Sequence, residues 1–157
     1  LRFLSADVIA RDLEVDSYEA ARMTVALRTE LVTQKESFIF ETVFSDPVGD
    51  KLGFLKSAAQ SGYAVVLCFI GITDASVAEQ RVAMRVSQGG HDVPTKKLIE
   101  CFPRTMANLS AAIRDLPCAM VYDNSDLRTQ FRHVASYAHG HLEWLNNPVP
   151  SWLKRLP

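Results

Sequence analysis

The sequence is poor in cysteine: only Cys68, Cys101 and Cys118 occur among 157 residues, with no C-x-x-C spacing. An odd count without that spacing excludes a disulfide framework and a zinc ribbon, and predicts buried thiols in a reducing, cytoplasmic setting. Charge of one sign is also missing. With 17 Lys+Arg against 18 Asp+Glu, the formal net charge of −1 gives no general attraction to nucleic acid or to an anionic membrane. The longest apolar run, from Ala64 to Ile72, is too short to span a bilayer, and no signal peptide is visible. G-x-S-x-G and H-E-x-x-H are absent, which removes most support for hydrolase and zinc-protease chemistry. There is no internal repeat and no low-complexity tract.

What is present suits a packed core. The chain is 48% apolar and 22% charged, the balance of a globular domain. At this length a domain buries about 70% of the surface its unfolded chain exposes, enough to stand without disulfide or metal staples. The chain opens at Leu1 on an apolar strand and without Met, which predicts that residues precede it.

Apolar stretches of strand length alternate with amphipathic stretches of helix length. That pattern predicts an α/β fold with a mainly parallel sheet and helices on both faces. Strands are expected at Leu1 to Leu4, Ser37 to Val43, Tyr63 to Ile70 and Cys118 to Tyr122. The third is apolar on both faces, as in a central strand covered from either side. Asp16 with Glu19 resembles a capping box, and Ala20, Met23, Leu27 and Leu31 follow at helical spacing, so a helix runs to about Lys35. Asp46-Pro47 starts a second helix that Gly62 ends. Thr73 or Asp74 caps a third that Gly89-Gly90 stops. Pro94 starts a fourth, and Pro103 is expected to kink or divide it. Toward the end, Phe131 to Tyr137 and His141 to Leu145 favour a β-hairpin through His139-Gly140, against a helix from Asp126 to Ala138.

In an open α/β sheet ligands bind beyond the carboxyl ends of the strands, so polar residues there are the first candidates for chemistry. Ser5-Ala6-Asp7, Glu41-Thr42, Thr73-Asp74 and Asp123-Asn124-Ser125 stand at such ends. A carboxylate placed there can take a proton from a hydroxyl or hold a magnesium ion. Equally, Asp7 could cap a short turn from Val8 to Leu13, Asp74 caps a helix, and Glu41 could be a solvated strand end. Arg81 and Arg85, four apart, share a helical face and lead into R-V-S-Q-G-G-H-D-V-P, with Arg104 shortly after. Converging guanidinium groups suit a transferring phosphoryl group, whereas a salt-bridged surface, with Glu79 near Arg81, is the plainer alternative. His133, His139 and His141 match no established metal frame, and a turn accounts for Gly140. Trp144 and Trp152 are expected to pin the tail to the sheet.

Five segments in order, F-L-S-A-D-V-I-A-R, S-F-I-F-E-T-V-F-S, R-V-A-M-R-V-S-Q-G-G-H-D-V-P, F-P-R-T-M-A-N-L and V-Y-D-N-S, resemble the zeta-toxin-like family of P-loop kinases. The match runs from Leu1 to about Leu153, with G-G-H-D-V-P its most specific piece. The resemblance implies a single P-loop NTPase-like kinase domain over residues 1–157. Its expected activity is ATP- or GTP-dependent phosphoryl transfer, with Mg2+, to a small molecule such as a nucleotide-activated amino sugar of cell-wall synthesis. It further implies Asp7 as the base or orienting carboxylate, and Glu41, Thr42 and Ser45 lining the acceptor pocket. Arg81 or Arg85, with His91 or Arg104, would form a cationic lid over the phosphate, and Asn124 would lie near the nucleotide base. An antitoxin protein is an expected partner; nucleic acid and membrane are not.

One departure stands out. The family's strand, G-x-x-x-x-G-K-[ST] loop and helix are absent from these residues, and no Gly is followed by Lys anywhere. That loop's amides and lysine hold the β and γ phosphates and its Ser/Thr holds magnesium, so an N-terminally truncated kinase with little transfer of its own is expected. The alternative is a non-catalytic remnant that binds a nucleotide sugar or a protein partner.

Overall fold

The computed structural model describes residues 1–87 and 94–156, with the side chains of Ala75 and Arg85 outside the description. The chain divides into two compact units, Leu1–Val43 and Phe44–Pro157.

The first unit is one β-α-α-β turn of chain. Strand β1 (Arg2–Leu4) leads into helix α1 (Ala6–Leu13) and helix α2 (Ser17–Thr33), and strand β2 (Phe38–Phe40) returns parallel to β1 with Arg2 beside Phe38 and Leu4 beside Phe40. Both helices start on side-chain caps. Ser5 Oγ accepts from the Val8 amide at 3.3 Å, and Asp16 Oδ1 accepts from Tyr18 and Glu19 at 2.8 and 2.9 Å. Asp7 therefore does not cap the first helix, as it could have; Ser5 does. The buried stripe of α2 is Ala20, Thr24, Arg28 and Leu31, while Leu27 of the expected stripe is exposed. Two features let polar residues take that face. Thr24 returns its hydroxyl to the Ala20 carbonyl at 2.8 Å, and Arg28 lays its guanidinium over the Phe40 ring at 5.5 Å, burying its stem.

The second unit holds a four-stranded sheet in the order β3 (Val66–Gly71), β4 (Cys118–Asp123), β5 (Arg132–Ala138), β6 (His141–Leu145). β3 and β4 are parallel, but β4–β5 and β5–β6 are antiparallel. The sheet is thus small and mixed rather than mainly parallel, because the tail folds as the expected hairpin and adds two antiparallel strands. The turn suits its sequence: His139 and Gly140 both take positive φ, 49° and 82°, as a two-residue hairpin turn requires.

Helix α3 (Asp50–Gln60) precedes β3, α4 (Ala75–Ser87) and α5 (Thr95–Asp115) cross from β3 to β4, and α6 (Ser151–Lys154) closes the chain. Asp74 caps α4 through the Ser76 and Val77 amides, and Gly62, at φ 94°, follows the end of α3, both as the sequence predicts. α3 starts three residues beyond Pro47, because Asp46 spans a turn and accepts from the Gly49 and Lys51 amides instead. α5 runs undivided through Pro103. Proline removes one intrahelical hydrogen bond there, while burial of Leu109, Ala112 and Ile113 anchors the turns that follow. Gly89-Gly90 lies outside the described residues.

Burial also departs from the pattern in β3. Phe69 is buried, as are Ala119 and Val121 of β4, but Val66 and Ile70 are each 53% exposed and Cys68 is exposed with them. Among the described residues of its unit, β3 is an edge strand with one open face, not a central strand covered on both. The same exposure corrects the expectation of buried thiols, since Cys101 and Cys118 are only half-buried. Trp152 does pin the tail: it is 3% exposed, its ring lies 6.2 Å from that of Phe69, and its Nε1 donates to Asp123 at 3.0 Å. Trp144 remains 44% exposed on β6.

A Cβ at Gly71 would run into the Trp152 ring, so only glycine fits beneath the indole. Gly71→Ala is expected to cost about 1–3 kcal/mol by overpacking. In a Trp152→Leu background, which vacates that space, the same change should cost clearly less. Urea unfolding followed by circular dichroism measures both; an equal cost in the two backgrounds would contradict this packing.

Candidate functional site

Parallel pairing brings the carboxyl ends of β1 and β2 to one edge, and the residues just beyond them are Ser5 and Glu41. The Glu41 amide extends the ladder by donating to the Leu4 carbonyl at 3.1 Å. The Ser5 hydroxyl then donates to Glu41 Oε1 at 2.5 Å while accepting from Val8. Glu41 is thus tethered to the first turn of α1. Asp7 sits in that same turn, exposed, where a carboxylate is favoured by the helix dipole. It accepts no hydrogen bond from the described residues, which leaves both its oxygens open to a ligand hydroxyl. Thr42 is exposed, and its hydroxyl reaches only the neighbouring Val43 carbonyl, at 3.4 Å.

In the second unit, two groups of the candidate residues come together. At the carboxyl end of the parallel β3–β4 pair, Arg81 of α4 donates from Nη2 to the Asn124 carbonyl at 2.7 Å, and the Asn124 amide donates to the Gly71 carbonyl at 2.8 Å. The Asn124 side chain turns into its own loop, accepting from the Phe131 amide at 3.3 Å. Glu79, weighed as a partner for Arg81, accepts instead from the Thr95 hydroxyl. Beside Asn124, Asp123 is held by Trp152 and by the Ser125 hydroxyl at 2.6 Å, with Arg132 at 3.7 Å.

The other group is built on one stripe of α5. Asn108 donates to the Phe44 and Asp46 carbonyls, both at 3.0 Å, and so fastens the loop that carries Ser45. One and two turns earlier lie Arg104 and Cys101. Arg104 Nη2 approaches the Cys101 sulfur at 3.4 Å, and the Ser45 hydroxyl hydrogen-bonds the same sulfur. Ser45 and Arg104, candidates for acceptor and phosphate respectively, therefore meet on a cysteine that sequence reasoning had set aside. The Ser45 hydrogen bond first, then the Arg104 contact and the charges of Arg104 and Lys97, hold the Cys101 thiol below its ordinary range against the effect of partial burial. Cys68 is shifted the other way, by burial and by Cys118.

The side chain of Arg85 and all of His91 lie outside the described residues. His133 is an aromatic packing element: its ring stacks on Trp144 at 4.4 Å and stands 4.9 Å from Tyr122. No group of three or more His, Cys, Asp or Glu side chains that could hold a metal ion forms among the described residues. Among the same residues, no helix is long and apolar enough to cross a membrane.

Asn108 and Cys101 escaped the sequence reading as site residues, and Ser5, named there only with the segment that follows the first strand, was given no role of its own. Ser5 carried a signal, since a serine before an apolar helical run is an N-cap pattern. Asn108 shares a helix face with Cys101 and Arg104, which spacing alone indicates. Nothing in the sequence linked Cys101 to Ser45. The opposite shifts of Cys101 and Cys68 make a direct expectation: iodoacetamide at neutral pH should modify Cys101 ahead of Cys68, with an inflection below the ordinary thiol range. Ser45→Ala and Arg104→Ala should each move that inflection upward. Peptide mass spectrometry against pH reads it, and equal rates for the two cysteines would contradict the geometry.

The model of the family described as Zeta toxin matches residues 10–131, well over half of the chain. No curated protein and no solved structure matches it. The matched span takes in Glu41, Thr42, Ser45, Arg81, Arg104 and Asn124, and ends at the loop closed by Phe131. The chain belongs to the Zeta toxin family, whose members are kinase-like, nucleotide-binding proteins.

Proposed function

We propose that the chain is a single zeta-toxin-like kinase domain, contributing the acceptor and cationic side of an ATP- or GTP-dependent phosphotransferase. Its acceptor in this reading is a small hydroxyl-bearing molecule, in the first instance a nucleotide-activated amino sugar. The observation that carries the reading is the pair of carboxylates beyond β1 and β2: Glu41 tethered by Ser5, and Asp7 unengaged in the first turn of α1. A tethered carboxylate orients a hydroxyl, and an open one takes its proton.

In the reaction the acceptor oxygen forms a bond to the γ phosphorus, the bond from that phosphorus to the β–γ bridging oxygen breaks, and the acceptor proton passes to Asp7. The nucleoside diphosphate leaves with the bridging oxygen. Glu41, Thr42 and Ser45 bind the acceptor. Arg81 or Arg85, with His91 or Arg104, offsets the charge that spreads over the phosphoryl oxygens, and Asn124 lies toward the base. Mg2+ in such sites is held by one or two side chains together with phosphate oxygens and water, and supplies further charge neutralisation.

Since no Gly-Lys pair occurs in the sequence, these residues do not include a phosphate cradle. By themselves they are expected to bind the acceptor and transfer little, which is also what a non-catalytic binder of a nucleotide sugar or an antitoxin would do. Two measurements separate the readings. Calorimetry with UDP-N-acetylglucosamine should show binding that Glu41→Gln weakens about tenfold and Asp7→Asn leaves nearly unchanged. With a strand, G-x-x-x-x-G-K-[ST] loop and helix joined upstream, Mg2+-dependent transfer should appear. There Asp7→Asn should lower it by about 10²–10⁴-fold with nucleotide affinity intact. Acceptor binding without transfer in the joined protein would favour the non-catalytic binder, and undiminished transfer by the Asn variant would remove Asp7 from the mechanism.

A further inference from the structure

Ser5 is 2% exposed, yet it carries a hydroxyl into that burial. Its oxygen is engaged twice. The Val8 amide donates to it at 3.3 Å, and its own proton goes to Glu41 Oε1 at 2.5 Å. A hydroxyl has one proton to give, and here the backbone contact uses a lone pair and leaves that proton for the carboxylate. A hydrogen bond to an ionised acceptor is short and about twice as strong as a neutral one, so it selects one arrangement of an otherwise mobile side chain. Glu41 is exposed and follows the last residue of β2, where packing alone does not fix its rotamer.

We infer that Ser5 is a positioning residue: its buried hydroxyl holds the Glu41 carboxylate in a single orientation and so presets the acceptor-binding group beside the first turn of α1. This deepens the phosphotransferase reading and rests on it for the identity of the acceptor. The hydrogen bond itself joins two residues of the first unit and requires no other part of the molecule.

The inference separates from a purely structural role because the two functions of the hydroxyl need different atoms. Capping α1 needs an oxygen; holding Glu41 needs a proton donor. Ser5→Thr keeps both, and Ser5→Ala loses both. Ser5→Asp keeps the cap but sets a second carboxylate against Glu41. The full chain, labelled with 13C and 15N, reports the Glu41 side-chain scalar couplings by NMR without any ligand. Wild type and Ser5→Thr should show one dominant rotamer, and Ser5→Ala and Ser5→Asp averaged couplings. Averaged couplings already present in the wild type would overturn the inference, whatever the fate of the kinase reading.

Calorimetry with UDP-N-acetylglucosamine supplies the second measurement. Ser5→Ala should weaken binding about tenfold in the wild-type background and hardly at all in Glu41→Ala, because the second change already removes the group that Ser5 holds. An equal loss in both backgrounds would mean that Ser5 acts through the fold alone, and would overturn the inference even though the acceptor binds. Failure of the wild type to bind, with a single Glu41 rotamer intact, would instead defeat the acceptor assignment and leave the positioning role standing.

Discussion

Parallel strand pairing governs where chemistry can sit in each unit. Two strands running the same way finish at the same edge, and whatever follows them is gathered there without any further device. β1 and β2 deliver Ser5, Asp7 and Glu41 in this way, and β3 and β4 deliver Gly71, Asp123 and Asn124. The strands are short, three residues each in the first unit. Their pairing therefore depends on the helical crossover between them and on the covering face of α2.

Helix boundaries were legible chiefly where their cause was local. Asp16 and Asp74 cap amides two and three residues on, and Gly62 follows its helix in a conformation other residues avoid, so each boundary announces itself in the sequence. Where a cause acted across distance, the sequence misled. Distant burial carries α5 through Pro103, whereas the delay of α3 has a local cause that was misread: Asp46 closes a turn onto the Gly49 and Lys51 amides instead of capping a helix at Pro47. The face of α2 was misassigned because an arginine stem can serve as apolar surface when a ring lies beneath its head. β3 read as a central strand because its composition is apolar throughout, and composition does not record whether a covering element is present.

The candidate site divides along the same line. Asp7 and Glu41 were visible as acidic residues at strand ends. The hydrogen bond that makes one of them directional joins residues 36 apart and was not visible. Ser45 and Arg104 were chosen separately, and their meeting on Cys101 depends on Asn108 fastening a loop 62 to 64 residues earlier in the chain. Residue types were readable; the contacts that orient them were not.

The uncovered margin of β3 also bears on how the protein behaves in company. Among the described residues this strand pairs only with β4, and it carries no charge, no proline and no bulge along its length. The opposite margin, β6, is broken by a bulge and bears Glu143. Margins of the first kind accept any extended peptide that arrives, and those of the second kind turn it away. Within this four-stranded sheet, an added extended peptide is therefore directed to the six residues of β3 rather than to β6.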